Sequence, residues 1–464
     1  MCNIQEEITL NFDVKIKPKS KNCVKCKTAK ATILIRHSTY CRKCFQHVFV
    51  GKFRKNIEKS RNASNSGSGE KVMIGFSGGP SSRAMLQLIS EYNEVLPQKQ
   101  FYSEIVVCHI DESLLFNNQK STIPQIEQIV RKYNYPFIGL YLQNIYNSDV
   151  TKSGCYNNVI EIAIDDAKIL QQEDSIFSPS EKLLNLLNNI SKLTAKEDFI
   201  WYLKLCYLID TARKNGCTRL FLGDCSTRLS IKIISLTSKG RGFSLPLETS
   251  GETDWFKDVI ITRPMKDMLS KEIGIYNQFA GLEDIYIQSV TSMMHAKASI
   301  ERLTEDFIVR LEKEFPSTVS TIARTGAKLT PSDYILEENR CIICLMPYQE
   351  NNKIWQNRII VMTIPSLQQS NGCSNIQQLH CSKNSKNPYD CSNVSNDESM
   401  TNIEFTDLLC YGCRVNMRDI KVANNKTILP PYVAEGVEEK KKKDNRKQMR
   451  KHIEEYLLCN EEEL

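Results

Sequence analysis

No apolar run in the chain approaches the roughly 18 residues that a membrane-spanning helix requires; the longest candidate, Phe199-Ile-Trp-Tyr-Leu203, is stopped by Lys204. An integral helical membrane protein is excluded, and no membrane partner is expected. The N-terminus, Met1-Cys-Asn-Ile-Gln-Glu-Glu7, has neither the basic segment nor the apolar stretch of a secretory leader. Secretion is not expected, so the 18 cysteines read as thiols in a reducing, cytoplasmic setting rather than as a disulfide framework. Apolar residues are slightly scarce, 41% against the roughly 45–50% usual in globular chains. At 464 residues, length for about three domains, the chain is expected to be mostly folded with some polar segments.

Acidic residues are nearly missing from one stretch. Between Lys15 and Arg61 there are 15 Lys or Arg and a single acid, Glu58, a local charge of +14; the whole chain carries +7, so the remainder is −7. The protein is an acidic body with a basic head. A second basic run, Lys440 to Lys451, is cancelled by the glutamates around it, and residues 435–464 sum to −1.

Composition divides the chain into a basic cysteine-bearing head (1–60), a Ser/Asn/Gly linker (61–70), a central domain (71–330), a second cysteine module (331–434) with a polar insertion at 368–402, and a charged tail (435–464). In the central domain, apolar strand patterns at 71–77, 105–110, 137–142, 219–222 and 259–262 alternate with helical patterns at 82–92, 123–133, 180–214, 226–236 and 266–279. That alternation predicts an α/β fold, a parallel sheet with helices on both faces.

Two cysteine patterns carry chemistry. Cys23-x-x-Cys26 and Cys41-x-x-Cys44, 14 residues apart, have the spacing of a tetrahedral zinc site. Four thiolates leave no open position, so the role is structural, and binding would supply roughly 10–16 kcal/mol of folding free energy to a segment too small for its own core. Cys341-x-x-Cys344 and Cys410-x-x-Cys413 form a second candidate, with 65 residues between the pairs. Such a loop closes at modest cost because the entropy grows only with the logarithm of length. Thiolates suit zinc and iron–sulfur clusters alike, so the second metal stays open. Cys373, Cys381, Cys391 and His380 lie in the insertion and are assigned no metal.

Around the first knuckles stand Lys25, Lys27, Lys30, Arg36, Arg42, Lys43, Lys52, Arg54 and Lys55, interleaved with Tyr40, Phe45, Phe49 and Phe53. Such a density of cations suits a polyanion, while Phe45 and Phe49 are expected to pack near the metal rather than stack on bases.

Between the first strand and helix of the central domain lies Ser77-Gly-Gly-Pro-Ser-Ser82. Two glycines admit an anion close to the backbone, the helix N-terminus offers free N–H groups, and Ser77, Ser81 and Ser82 add hydroxyls around Gly78 and Gly79.

This strand-SGGxxS-helix pattern resembles the pyrophosphate loop of adenine-nucleotide hydrolases that activate substrates by adenylation, a family that includes tRNA thiolases. Val107-Cys-His-Ile-Asp111, Leu222-Gly-Asp224 with Thr227, Gly240-Arg-Gly242, and Arg263-Pro264 with Glu272, Ile273 and Tyr276 follow in register. With Leu409-Cys-Tyr-Gly-Cys413 and Leu429-Pro430 added, most of the chain resembles the second subunits of the cytosolic complex that 2-thiolates the wobble uridine of tRNA. Two departures stand out. The catalytic loop reads SGGxDS, and Ser81 occupies the aspartate position, removing a carboxylate that would organise Mg²⁺ on ATP. The paired cysteines of catalytic thiolases are also missing, since Cys108, Cys155, Cys206, Cys217 and Cys225 contain no C-x-x-C.

The resemblance therefore implies a tRNA-binding, non-catalytic subunit that pairs with a catalytic thiolase. The sulfur would come from a thiocarboxylated ubiquitin-related carrier, and ATP with magnesium could bind at the loop without turnover. Two alternatives remain: a competent ATP-dependent sulfurtransferase using Asp224 and Cys225, and a zinc-finger adaptor for protein partners only. At Cys225 the simpler reading is a small buried residue at a helix start.

Overall fold

In this computed structural model the described residues are 22–63, 69–95, 102–116, 120–147, 158–162, 167–171, 177–282, 287, 294–332, 335, 339–349, 405–418, 420 and 429–454. The polar insertion, Cys155 and the end of the tail lie outside them.

The head begins with a knuckle and a short antiparallel hairpin, β1 (Ile33–Ile35) and β2 (Ser38–Tyr40), and continues into a long helix, α1 (Arg42–Ala63). Along α1, Phe45, Phe49, Phe53 and Ile57 recur every fourth residue and are all buried. Each such burial is worth about 2 kcal/mol.

The central domain runs β3 (Glu70–Gly75), α2 (Pro80–Val95), β4 (Tyr102–Asp111), α3 (Ile123–Arg131) and β5 (Phe137–Tyr141). A hairpin follows, β6 (Asn158–Ile162) and β7 (Ala167–Gln171), then α4 (Pro179–Asn189), α5 (Leu193–Lys214), β8 (Arg219–Leu222) and α6 (Ser226–Ser238). The domain continues through α7 (Leu245–Thr249), β9 (Glu252–Thr253), β10 (Ile260–Thr262), α8 (Ser270–Ala280), α9 (Ile300–Glu314) and α10 (Thr318–Gly326). After the second pair of knuckles come α11 (Tyr411–Arg418) and α12 (Pro431–Glu454).

The six-stranded sheet has the order β5-β4-β3-β8-β10-β9, parallel throughout except for β9 at the edge. Strand periodicity sorts its two faces. Val72, Ile74, Ile105, Val107 and Phe221 join one buried cluster with α1, α2, α3 and α8. Met73, Val106, Cys108, Ile110, Leu220 and Leu222 join the other, with α4, α5 and the second cysteine module. The fold class read from the sequence is therefore the fold observed: α/β, a parallel sheet with helices on both faces.

The boundaries differ from the compositional reading. Helix α1 extends through 61–63 and β3 starts at Glu70, so both ends of the expected linker 61–70 belong to secondary structure, and 64–68 lie outside the described residues. Its helix is a layer of the core, with the Phe49 ring stacked on Tyr276 at 4.6 Å, the Phe45 ring edge-on to Phe279 and Lys52 paired with Glu272 at 2.8 Å. The charged tail is likewise tied in: α12 begins at Pro431, and Val433, Ala434 and Val437 are buried before its lysine run starts. The hairpin β6–β7, edge strand β9 and helices α9 and α10 carry no motif and were not anticipated.

At the N-terminal end of the sheet sits Arg219, with only 1% of its side chain exposed. It donates to Glu70 of β3 at 2.7 Å, Glu252 of β9 at 2.6 Å, Thr262 of β10 at 3.0 Å and Ser60 of α1 at 2.8 Å. Removing it would take the shared cation away from both carboxylates. Arg219→Leu is expected to lower stability by about 3 kcal/mol, read as a fall in urea midpoint with no change in slope.

Candidate functional site

The parallel strands leave β3 in opposite directions, to β4 and β5 on one side and to β8 and β10 on the other, so the crevice at the carboxyl ends of β3 and β8 is the expected ligand position. Ser77-Gly-Gly-Pro-Ser-Ser82 lies there, facing Gly223-Asp224-Cys225. Gly78 has φ +79, which only glycine takes freely, and a Cβ on it would lie 2.8 Å from both Ile126 and Ile287. Gly79 opens the turn into α2, whose first residue is Pro80.

The hydroxyls of the loop are turned to protein. Ser81 donates to the carbonyl of Gly223 at 2.5 Å, Ser82 donates to the carbonyl of Gly79 at 2.9 Å, and Ser77 donates to Ser82 at 3.3 Å. Asp224, the carboxylate nearest the loop, is ion-paired with Lys232 at 2.8 Å and Arg263 at 3.2 Å. Burial alone would raise its carboxyl; the Lys232 and Arg263 cations outweigh that and hold it at about 2. Lys232, its side chain 15% exposed, lies over the Trp201 ring at 4.0 Å. On the other side of β3, Asp111 accepts from the Ser113 amide at 2.9 Å and from the Ser121 hydroxyl.

Cys225 is the N-cap of α6, buried, with its sulfur 3.3 Å from the Ser270 hydroxyl. Burial pushes its thiol up, more than Ser270 draws it down, the opposite of what a nucleophilic thiolate needs. His109 is buried with Nδ1 2.8 Å from the Phe76 carbonyl and Nε2 2.8 Å from the Thr122 hydroxyl. Burial pushes this imidazole down, so it is neutral with the proton on Nδ1, donated to that carbonyl. These groups form a set of structural contacts rather than an acid–base pair.

The cysteines do converge. In the head, the sulfurs of Cys23, Cys26, Cys41 and Cys44 lie within 4.8 Å of one another, with Cys26 and Cys41 4.0 Å apart. The first knuckle is closed by the Lys27 amide donating to the Cys23 carbonyl at 2.8 Å, with Lys27 at φ 59. The amide of Ala29 and then the hydroxyl and amide of Thr28 bring the Cys26 thiol down to about 6. Cys341, Cys344, Cys410 and Cys413 form a second tetrad within 4.8 Å, all buried or nearly so, with Cys344 and Cys410 3.6 Å apart. A tetrahedral ion with 2.3 Å bonds to sulfur separates its ligands by about 3.8 Å. Both tetrads fit one ion and could bind a metal.

One participant escaped the sequence reading. Arg241, from the Gly240-Arg-Gly242 turn after α6, donates to Cys410 Sγ at 3.4 Å and to Cys413 Sγ at 3.7 Å. It also donates to Asp198 of α5 at 3.1 Å and lies over the Tyr202 ring at 4.7 Å. An arginine between two glycines was the available signal, but nothing local to it names cysteines so distant in sequence.

The head's cations divide. Lys25, Lys27, Lys30, Lys43 and Lys55 are exposed, and Arg36 and Arg54 are half-buried. Arg42 instead holds the head to α8, donating to the Phe279 carbonyl at 3.0 Å with its guanidinium 4.6 Å over that ring. It is nevertheless exposed, like the lysines around it. Phe45 and Phe49 pack against Phe279 and Tyr276 of α8.

The sheet order, the glycine turn after its central strand and the two cysteine tetrads define an α/β protein with a largely parallel sheet and two cysteine centres. A model of the family described as cytoplasmic tRNA 2-thiolation protein 2 matches residues 299–415. The proteins of that name from Xenopus tropicalis and Danio rerio are 29% and 28% identical to this chain, over 96% and 99% of it and 95% and 99% of their own lengths. The chain thus resembles that family from its head to its last helix. Among solved structures, it is similar to a U34-tRNA thiolase from Methanococcus maripaludis with its 4Fe–4S cluster, at 16% identity and a TM-score of 0.46 over 68% of this chain and 91% of that one.

Two outcomes follow. Elemental analysis of the purified chain should find about two metal ions per molecule by the one-ion fit of each tetrad, and about one after either Cys44→Ser or Cys341→Ser. Asp224, titrating near 2 against an ordinary 3.8, stabilises the fold fully above about pH 4 and loses that contribution as pH falls toward 2. Asp224→Asn should therefore cost about 2 kcal/mol at neutral pH, a gap that closes in urea titrations repeated below pH 3.

Proposed function

We propose that this chain is the tRNA-binding, non-catalytic subunit of a cytoplasmic complex that 2-thiolates the wobble uridine of tRNA. The observation that carries the process is the likeness to tRNA 2-thiolation protein 2 over nearly the whole chain. The division of labour rests on the crevice. Ser81 stands where a catalytic loop has aspartate, Asp224 is consumed by two cations, and Cys225 is a buried, protonated thiol. The loop keeps the backbone shape to hold a phosphate at Gly78 and Gly79, without a free carboxylate for magnesium, so a nucleotide held there is not turned over.

A catalytic thiolase then forms the heterodimer and performs adenylation, with sulfur supplied by a thiocarboxylated ubiquitin-related carrier. The head contacts tRNA through Lys25, Lys27, Lys30, Arg36, Arg42, Lys43, Arg54 and Lys55. Zinc occupies the head tetrad as a structural ion. The 3.6 Å sulfur separation favours a single zinc ion at the second tetrad too, because a four-iron cluster sets its thiolates on different irons and spreads them further apart.

The test uses the full chain. Its affinity for tRNA should fall steeply with salt, and reversing Lys25, Lys27 and Lys43 to Glu should weaken binding and reduce the salt slope by about three. Alone with tRNA, ATP and a sulfur donor it should release no pyrophosphate, and Cys225→Ser should leave thiolation by the complex intact. Turnover by the isolated chain would establish the competent-enzyme alternative, and salt-insensitive binding the adaptor.

A further inference from the structure

We infer that Arg241 is a positioning residue for the second tetrad, the fixed counter-charge that lets four buried thiolates hold a metal ion against the α/β body. Four thiolates around a divalent ion carry a net charge of −2. In the head, three of the four cysteines are only half-buried and water can screen that excess. At the second site Cys341, Cys344 and Cys413 are buried and Cys410 is half-buried, so screening must come from protein. Arg241 supplies it, since a guanidinium cannot give up its proton and its planar fork reaches two sulfurs at once. One terminal nitrogen lies 3.4 Å from Cys410 Sγ and 3.7 Å from Cys413 Sγ, and the other lies 3.7 Å from Cys413 Sγ.

The arginine is itself held. Asp198 accepts from it at 3.1 Å, and Asp198 is fixed in turn by Lys239 at 2.6 Å and by Asn416 of α11 at 2.9 Å. Lys239 also pairs with Glu301 of α9. Packing sets the approach: a Cβ on Gly412 would lie 2.6 Å from the guanidinium carbon of Arg241, and one on Gly240 would lie 2.5 Å from the Tyr411 ring. Only with glycine at both positions do the turn after α6 and the second knuckle come this close. Metal occupancy is thereby coupled to the central domain through α5, α6 and α9.

The experiment uses the full chain in a Cys44→Ser background, where the second tetrad is the zinc site left intact, with a chromophoric chelator as competitor. Arg241→Leu is expected to weaken zinc binding about 10- to 100-fold, the range for residues that support metal ligands. Arg241→Lys keeps the charge but loses the fork and should fall between. With cobalt in place of zinc, the sulfur-to-metal charge-transfer band should shift in both variants as the N–H to sulfur bonds are lost. A residue serving packing alone would lower the melting temperatures of metal-free and zinc-loaded chains equally; here the gap between the two should narrow. Should Arg241→Leu fail to fold, Arg241→Lys decides. Zinc affinity within twofold of the parent and an unmoved cobalt band in that variant would overturn the proposal.

Discussion

A single buried arginine at the back of the sheet organises the molecule. Arg219 meets two carboxylates and two hydroxyls from β3, β9, β10 and α1, binding strands far apart in sequence to the helix that grows out of the cysteine-bearing head. The cost of burying a guanidinium is met by a full set of acceptors, and the reward is register. With this end pinned, the opposite ends of β3 and β8 are brought into a fixed crevice. Helix α1, with Cys44 in its first turn and Ser60 near its end, then cannot move without straining both the head and the core.

In the crevice beside the glycine turn the polar groups are bound to protein. A catalytic centre needs carboxylates and thiols that are poised and free. Here Asp224 is held low by cations that neutralise it, against the burial that would raise it, and the thiol at Cys225 is made less reactive by burial. Shifted titration marks structural ion pairs as readily as active sites, and the sign of the shift with the identity of the partners tells them apart.

The sheet and its helices were legible because alternation of apolar strands with amphipathic helices is local. Leu220 and Phe221 point to opposite faces by strand geometry alone. The two tetrads were legible for a similar reason, as two-residue spacings between cysteines have few other causes. The contact of Arg42 with α8 was not, because nothing near a knuckle cation announces that Phe279, far along the chain, lies beneath it. The attachment of the head was hidden in the same way: the phenylalanines of α1 announced a buried face but not what covered it. Arg241 and Asp198 were least accessible, since their meaning depends on long-range packing around a partially buried sulfur cluster.

Gly240 and Gly412 are each the seat for a large neighbour of the other, with Tyr411 over Gly240 and Arg241 over Gly412. The arrangement is reciprocal, so neither glycine can acquire a side chain while the opposite neighbour stays as it is. Over evolutionary divergence these four positions should behave as one character, kept or replaced together. A lineage that gave up the second cysteine tetrad would release all four at once, and their joint decay would date the loss.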